Sequence, residues 1–518
     1  MHARPSAKLR SIRDLPCPPG LPLLGNILEV RPRDLHEVMK AWAYRYGPLF
    51  RVRMGWQTLL VLSDLEAIQK VFKERPDRYR RWRRIPERSA DVGIGPFGVF
   101  SAEGASWKRQ RKFMMQILNA SRVQDFTPRL ETVTGRLRRF CWRAALSEVS
   151  VDIHADLKRF TVDVTSGLAF NRDWNTLEGR FEPMQRHLDV LFRGLARRQT
   201  ALIPYWNLFK LQADREVVFA ASEIRRVVEG LIADARRDVA EYSEIREHPR
   251  SLLEAFVASH ERGESDLSDE EIIGNLLTLL LAGEDTTANT ISWMAFFLAE
   301  YPSVQARLQE EVDRVFGPDE IEWTDRTDIS AKLPYLQAVA NETLRCKPVG
   351  GEMFHEPLED VEIMGVHVPR GTPILALTGM PAMREDYVAR PDEFLPERWL
   401  GGGGSSLGPS NPKAFMPFGT GPRSCPGRLL ASLEINMVVT MLCQDFEICR
   451  TNDMPSPRSE YAIAVGPDRV DVILRPRRAA RFGVELESRE AERRRMVQSI
   501  RFPNRRSSER RSSGGALP

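Results

Sequence analysis

One cysteine stands where the chain is most restricted: residues 415–431 read FMPFGTGPRSCPGRLLA, with Cys425 among Gly419, Gly421, Pro422, Pro426 and Gly427. A cysteine acts as ligand or nucleophile in its thiolate form, which needs nearby donors or positive charge. The glycines can turn backbone N–H groups toward the sulfur, and Arg423 adds a charge. RLLASLEINMVVTML beyond is periodic enough for a helix, whose N-terminal dipole favours an anion. A nucleophile would want a histidine base, and none of the eight histidines lies nearby in sequence. Zinc would want partner ligands, which are absent. A single thiolate with its opposite side open suits an iron already held by four equatorial nitrogens, that of a haem. A structural cysteine in a tight turn is the alternative.

A second group lies in SDEEIIGNLLTLLLAGEDTTANTISWMAFFLAEYP. Ser268 can cap a helix here and Glu271 can return the capping-box bond, while Pro302 stops it after Tyr301. The stretch is apolar nearly all round, which predicts burial through the body of the protein. Yet Gly283, Glu284, Asp285, Thr286 and Thr287 occupy its centre. Buried carboxylates and hydroxyls are costly unless satisfied, so either neighbours compensate them or the helix surfaces at Glu284.

The elements around these groups predict a mainly α chain with small marginal sheets. LFRVRM and TLLVLS, split by Gly55, read as a hairpin; helical patterns then run to about residue 345, and strand-like pieces return at VEIMGVHVPRGTPILAL and YAIAVGPDRVDVILRP. With 518 residues, several domains or one large composite domain are open. The six cysteines are dispersed without CxxC spacing, which points to reduced thiols in a cytosol rather than a disulfide framework. No run approaches about 18 uninterrupted apolar residues, so no transmembrane anchor is expected. From Glu485 to Pro518 nine Arg face five Glu, a net +4 equal to that of the whole chain. This basic tail lacks interleaved aromatics and reads as solvated rather than nucleic-acid binding.

FGTGPRSCPG resembles the haem-ligand signature of the cytochrome P-450 family, F-x-x-G-x-R-x-C-x-G, at Phe418, Gly421, Arg423, Cys425 and Gly427. Three further motifs of that family follow its order and spacing: AGEDTT (Ala282 to Thr287), ETLR (Glu342 and Arg345) and FLPERW with Arg398. The resemblance implies one large helical P-450 domain over 16–478, between a flexible N-terminus (1–15) and a basic tail (479–518). It implies haem b with Cys425 as axial ligand, and a Glu342–Arg345–Arg398 triad fastening a helix to the meander before the cysteine loop. WKRQR resembles the family's W-x-x-x-R, so Trp107, Arg111 and Arg423 are implied propionate contacts. His355 is the nearest equivalent where the family more often has Arg; a strand-edge histidine is its other reading.

The implied reaction places one oxygen atom of O2 in a lipophilic substrate, by hydroxylation or epoxidation. Asp285, with Glu284, would relay protons and Thr286 would bond the bound oxygen; Gly283 would let the helix open locally. NAD(P)H electrons would arrive indirectly, through a ferredoxin and its reductase or another external reductase, with Lys108, Arg109, Lys112, Lys413 and Arg428 as a docking face. A cytoplasmic monomer is implied. A peroxygenase or isomerase on the same scaffold and a non-enzymatic haem sensor are the rival readings.

Overall fold

The computed structural model describes residues 9–92, 98–179, 182–201, 205–317, 329–401 and 410–477. The basic tail, residues 402–409 and the first eight residues lie outside them. The described residues form a helical body with four small sheets. The largest has strands β1 (Leu49–Met54), β2 (Gln57–Leu62), β3 (Tyr79–Arg81), β4 (Glu352–Pro357) and β5 (Ile374–Leu377), in the order β1-β2-β5-β4-β3. The β1–β2 pair is the expected hairpin, and Gly55 turns it at φ +62°, a conformation that costs glycine little.

Six helices position the chemistry: α1 (Gly104–Ile117), α2 (Ile153–Phe170), α3 (Glu182–Thr200), α4 (Asp269–Glu300), α5 (Pro334–Cys346) and α6 (Arg428–Asp445). Helix α4 starts as its sequence predicts: Glu271 N–H donates to Ser268 Oγ at 3.2 Å and Ser268 N–H to Glu271 Oε2 at 3.1 Å. It runs through the main apolar core and stays α-helical across Gly283. The glycine has another purpose than local opening. A Cβ there would lie 2.3 Å from Thr165 Cγ2 on α2, so the missing side chain is what lets the two helices approach. The approach also brings Thr161 Oγ1 to donate to the Glu284 carbonyl at 2.9 Å. Among the described residues no helix is long and apolar enough to cross a membrane.

The triad assembles fully inside the protein. Glu342 Oε1 accepts from Arg345 Nη2 (2.8 Å), Arg398 Nε (3.0 Å) and the Leu395 N–H (2.9 Å), while Oε2 accepts from Arg345 Nε (3.0 Å) and Trp399 Nε1 (2.9 Å). The guanidiniums spend their other donors on carbonyls of the meander: Arg345 on Pro391 (2.7 Å) and Glu393 (2.9 Å), Arg398 on Ala389 (2.8 Å) and Arg390 (3.0 Å). One carboxylate thus ties α5 to residues 389–399. Glu342→Ala would strand two buried guanidiniums, and breaking such a pair costs about 3–5 kcal/mol. Denaturant unfolding is the measurement, and a loss near that size is the expected outcome.

Candidate functional site

The cysteine loop closes by a short helical turn at Gly421–Arg423 and feeds directly into α6. Gly421 takes φ +72°, and a Cβ on it would stand 2.6 Å from the Phe72 carbonyl, so the loop lies flush on that neighbour. The Cys425 N–H donates to the Phe418 carbonyl at 2.8 Å. Burial pushes the Cys425 thiol's pKa up; the N–H of Gly427, then the charges of Arg111 and Arg428, pull it back toward thiolate. The sulfur is closely packed from behind, yet the residue is exposed, so its front faces open space. Arg111 lies alongside, Nη2 donating to Ser424 Oγ at 3.5 Å.

A basic cluster sits near this loop. His355 is not at a sheet edge: β4 lies between β5 and β3, and His355 pairs directly with Arg81. Its Nδ1 contacts the Met353 carbonyl at 3.0 Å and its Nε2 lies 2.7 Å from Arg75 Nη1. A carbonyl can only accept and a guanidinium only donate, so the proton is assigned to Nδ1 and the ring is neutral. Burial, then Arg75 and Arg81, push the His355 pKa well down, in agreement. Arg423 donates from Nη2 to the Ala102 carbonyl (2.8 Å) and to Glu103 Oε2 (2.5 Å), with its guanidinium 4.5 Å above the Trp107 ring. Arg81 donates from Nε to the Phe100 carbonyl at 2.5 Å.

Three guanidiniums therefore share one nearby carboxylate, Glu103. Arg75 Nε and Nη2 and Arg423 Nε and Nη1 are buried without hydrogen-bond partners. Burial and then the neighbouring Arg81 and Arg423 push the Arg75 pKa down to about 8. Guanidinium surrenders its proton so reluctantly that this pull amounts to a demand for anions. A flat cofactor carrying two carboxylates fits these donors, and the open thiol fits its metal. Arg75 and Arg81 were not singled out from sequence; the Arg-rich run ERPDRYRR was the signal available.

At the centre of α4 only Ala282 and Thr286 are exposed, one turn apart, on a helix otherwise largely buried. Thr286 Oγ1 donates to the Ala282 carbonyl at 2.8 Å. Asp285 Oδ1 meets Lys158 Nζ of α2 at 3.0 Å. Glu284 was grouped with Asp285 and Thr286 from sequence, but lies two residues before Thr286, about 200° round the helix. It is fully buried toward α2 and α3, accepting from Gln185 Nε2 at 3.2 Å, and does not share the open stripe.

A helical body around a long buried helix, with an open thiolate loop beside an anion-seeking cradle, defines a haem-thiolate protein. The chain belongs to the cytochrome P450 family, whose pattern matches residues 15–474. It is similar to cytochrome P450 3A6 of Oryctolagus cuniculus, 26% identical over 454 residues, covering 85% of this chain and 87% of that one. Steroid 21-hydroxylase of Sus scrofa is 27% identical over 492 residues, covering 90% and 93%. The cytochrome P450DA heme domain has the same fold, with a TM-score of 0.77 at 21% identity over 90% of this chain and 97% of that one. As a family member the protein is a monooxygenase that binds haem b, uses O2 and draws its electrons from partners.

Stripped of haem, the protein should react with a maleimide at Cys425, while the buried Cys141 and Cys443 stay unmodified. The raised Cys425 pKa means that labelling should accelerate steeply as pH rises past about 8.5, the ordinary value for a thiol. Adding haem should suppress it. Peptide mass mapping is the check.

Proposed function

We propose that this P450 oxidises a lipophilic small molecule, and that the residues above divide the task as follows. Cys425 ligates the iron, with the Gly427 N–H on its sulfur and the Phe418 carbonyl fixing its backbone. Arg423, Arg75 and Arg81 receive the propionates, with His355 holding Arg75, Trp107 supporting Arg423, and Arg111 between cradle and loop. The observation that carries this reading is the excess of partnerless buried guanidinium donors, which a dianionic cofactor would satisfy. When bound, the haem supplies a thiolate-ligated iron at which dioxygen is activated.

On α4 the chain's own residues would manage protons and water. Thr286 presents its hydroxyl on the open stripe of α4, and the preceding Asp285, held as a carboxylate by Lys158, takes up a proton and passes it toward that hydroxyl. Ala282 and, one turn earlier on the same face, Leu279 make the approach apolar, which favours a lipophile and keeps bulk water out. The acid and alcohol side by side favour monooxygenation over a peroxygenase or isomerase. We assign the catalytic domain to 16–478, in a cytoplasmic monomer.

For electron delivery, Lys108, Arg109, Lys112, Lys413 and Arg428 are all exposed. Lys108 and Arg109 already face Asp77 and Glu271, at 3.6 and 3.1 Å. Lys112, Lys413 and Arg428 therefore supply the free charge on which an acidic ferredoxin would dock.

The carbon monoxide difference spectrum of the reduced protein tests the reading: a thiolate-type band is expected, and Cys425→Ser should abolish it. A Cys425→Ser protein with an unchanged band would end the assignment. Screening lipophiles for a low-spin to high-spin shift would identify the substrate class. With a shifting lipophile, Thr286→Ala should divert reducing equivalents from product to peroxide several-fold. Arg75→Met should weaken haem retention yet stabilise the haem-free protein, because it removes unpaired buried donors worth about 1–3 kcal/mol each. Haem-transfer rates and melting of both forms would show it.

A further inference from the structure

Lys158 Nζ serves two carboxyls at once, lying 3.0 Å from Asp285 Oδ1 and 3.6 Å from Glu284 Oε1. From α3, Gln185 Nε2 bonds Glu284 Oε1 at 3.2 Å and reaches Asp189 Oδ1 at 3.5 Å, so a third carboxylate borders the same cluster. Glu284 is 0% exposed, and its Oε2 is buried with no hydrogen-bond partner. His154, one turn before Lys158 on α2, adds no second cation: burial and then Lys158 push its pKa down to about 4. The groups facing Glu284 are therefore Lys158, Asp285, Asp189 and the neutral Gln185. One ammonium cannot neutralise three carboxylates, and a buried carboxylate with a bare oxygen is unfavourable. Holding a proton removes the conflict. Burial first, with Asp285 and Asp189 reinforcing it and Lys158 opposing, pushes the Glu284 pKa up to about 8.

We propose that Glu284 is the proton store that recharges Asp285, its proton crossing by way of Lys158. This rests on the reading of Asp285 as the proton donor beside Thr286. The Lys158 ammonium gives a proton to the Asp285 carboxylate as the Glu284 carboxylic acid gives its own to the Lys158 nitrogen. One N–H and one O–H bond break, one of each forms, and no electrons move. Glu284 becomes the carboxylate and is reprotonated from water through Lys158, which is 24% exposed. A group whose pKa is raised keeps its proton below that pKa, so the store is full at pH 7 and empties as pH rises through about 8.

The test uses the haem-loaded protein. Infrared difference spectra across a pH titration should show a protonated carboxyl at pH 7 that is lost through about pH 8, and is missing from Glu284→Gln. With a spin-shifting lipophile and a plant-type ferredoxin and reductase as electron source, Glu284→Gln and Lys158→Met should both release several-fold more peroxide per NADPH. Both should also show a larger solvent isotope effect, with the carbon monoxide band and spin shift unchanged. If no Glu284-dependent protonated carboxyl exists at pH 7, or both variants keep parental coupling and isotope effect, the proposal is overturned. If Glu284→Gln does not fold, the titration of the parent and the coupling of Lys158→Met decide. A parent without the thiolate-type band would sink the broader reading instead, while the infrared titration would still judge Glu284.

Discussion

A helix buried on nearly every side can carry charge at its middle only if its neighbours bring the counter-charge, and the rest of this molecule is arranged around that requirement of α4. Helix α2 delivers Lys158 to Asp285 and Glu284, and α3 adds the Gln185 amide. The hydroxyls of Thr161 and Thr286 occupy carbonyls of the same turns. What remains uncovered at the centre of the helix is a narrow stripe at Ala282 and Thr286, and it is left open. The core therefore leaves one face of this helix open at its centre by packing against the others.

The cradle around Arg75, Arg81 and Arg423 follows the opposite rule. Here the protein collects like charges and leaves their donors short of acceptors, so the haem-free chain is strained by its own cations. The neutral His355 holds one guanidinium without adding a charge. An anion that met these donors would relieve this mismatch, while the Glu342 knot steadies the meander before the cysteine loop without drawing on it.

What the sequence made legible was mostly local. The cap at Ser268 and Glu271, the β1–β2 turn and the i, i+3 partnership of Glu342 and Arg345 each depend on residues within a few positions, and each is present in the fold. The cysteine loop was legible through the crowding of glycine and proline. Arg75 and Arg81 were not, because β3 has only three residues, too few for alternation to show, and the contact of Arg75 with His355 spans 280 positions. Lys158 and Gln185 look like ordinary polar residues on amphipathic helices until packing turns them toward α4. Gly283 was read as a point of helix opening since a glycine in a helix usually signals backbone freedom; only the position of Thr165 reveals that it is a point of contact.

That contact constrains how this chain can change over generations. Any side chain at 283 collides with the Thr165 methyl at 2.3 Å, and Thr165 is itself tied by its hydroxyl to the Thr161 carbonyl at 2.8 Å. A substitution at 283 is therefore admissible only after 165 has shrunk, whereas shrinking 165 first merely leaves a small void. The two positions form an ordered pair, and the turn of α4 that carries the open stripe is open to mutation from α2 before it is open from α4 itself.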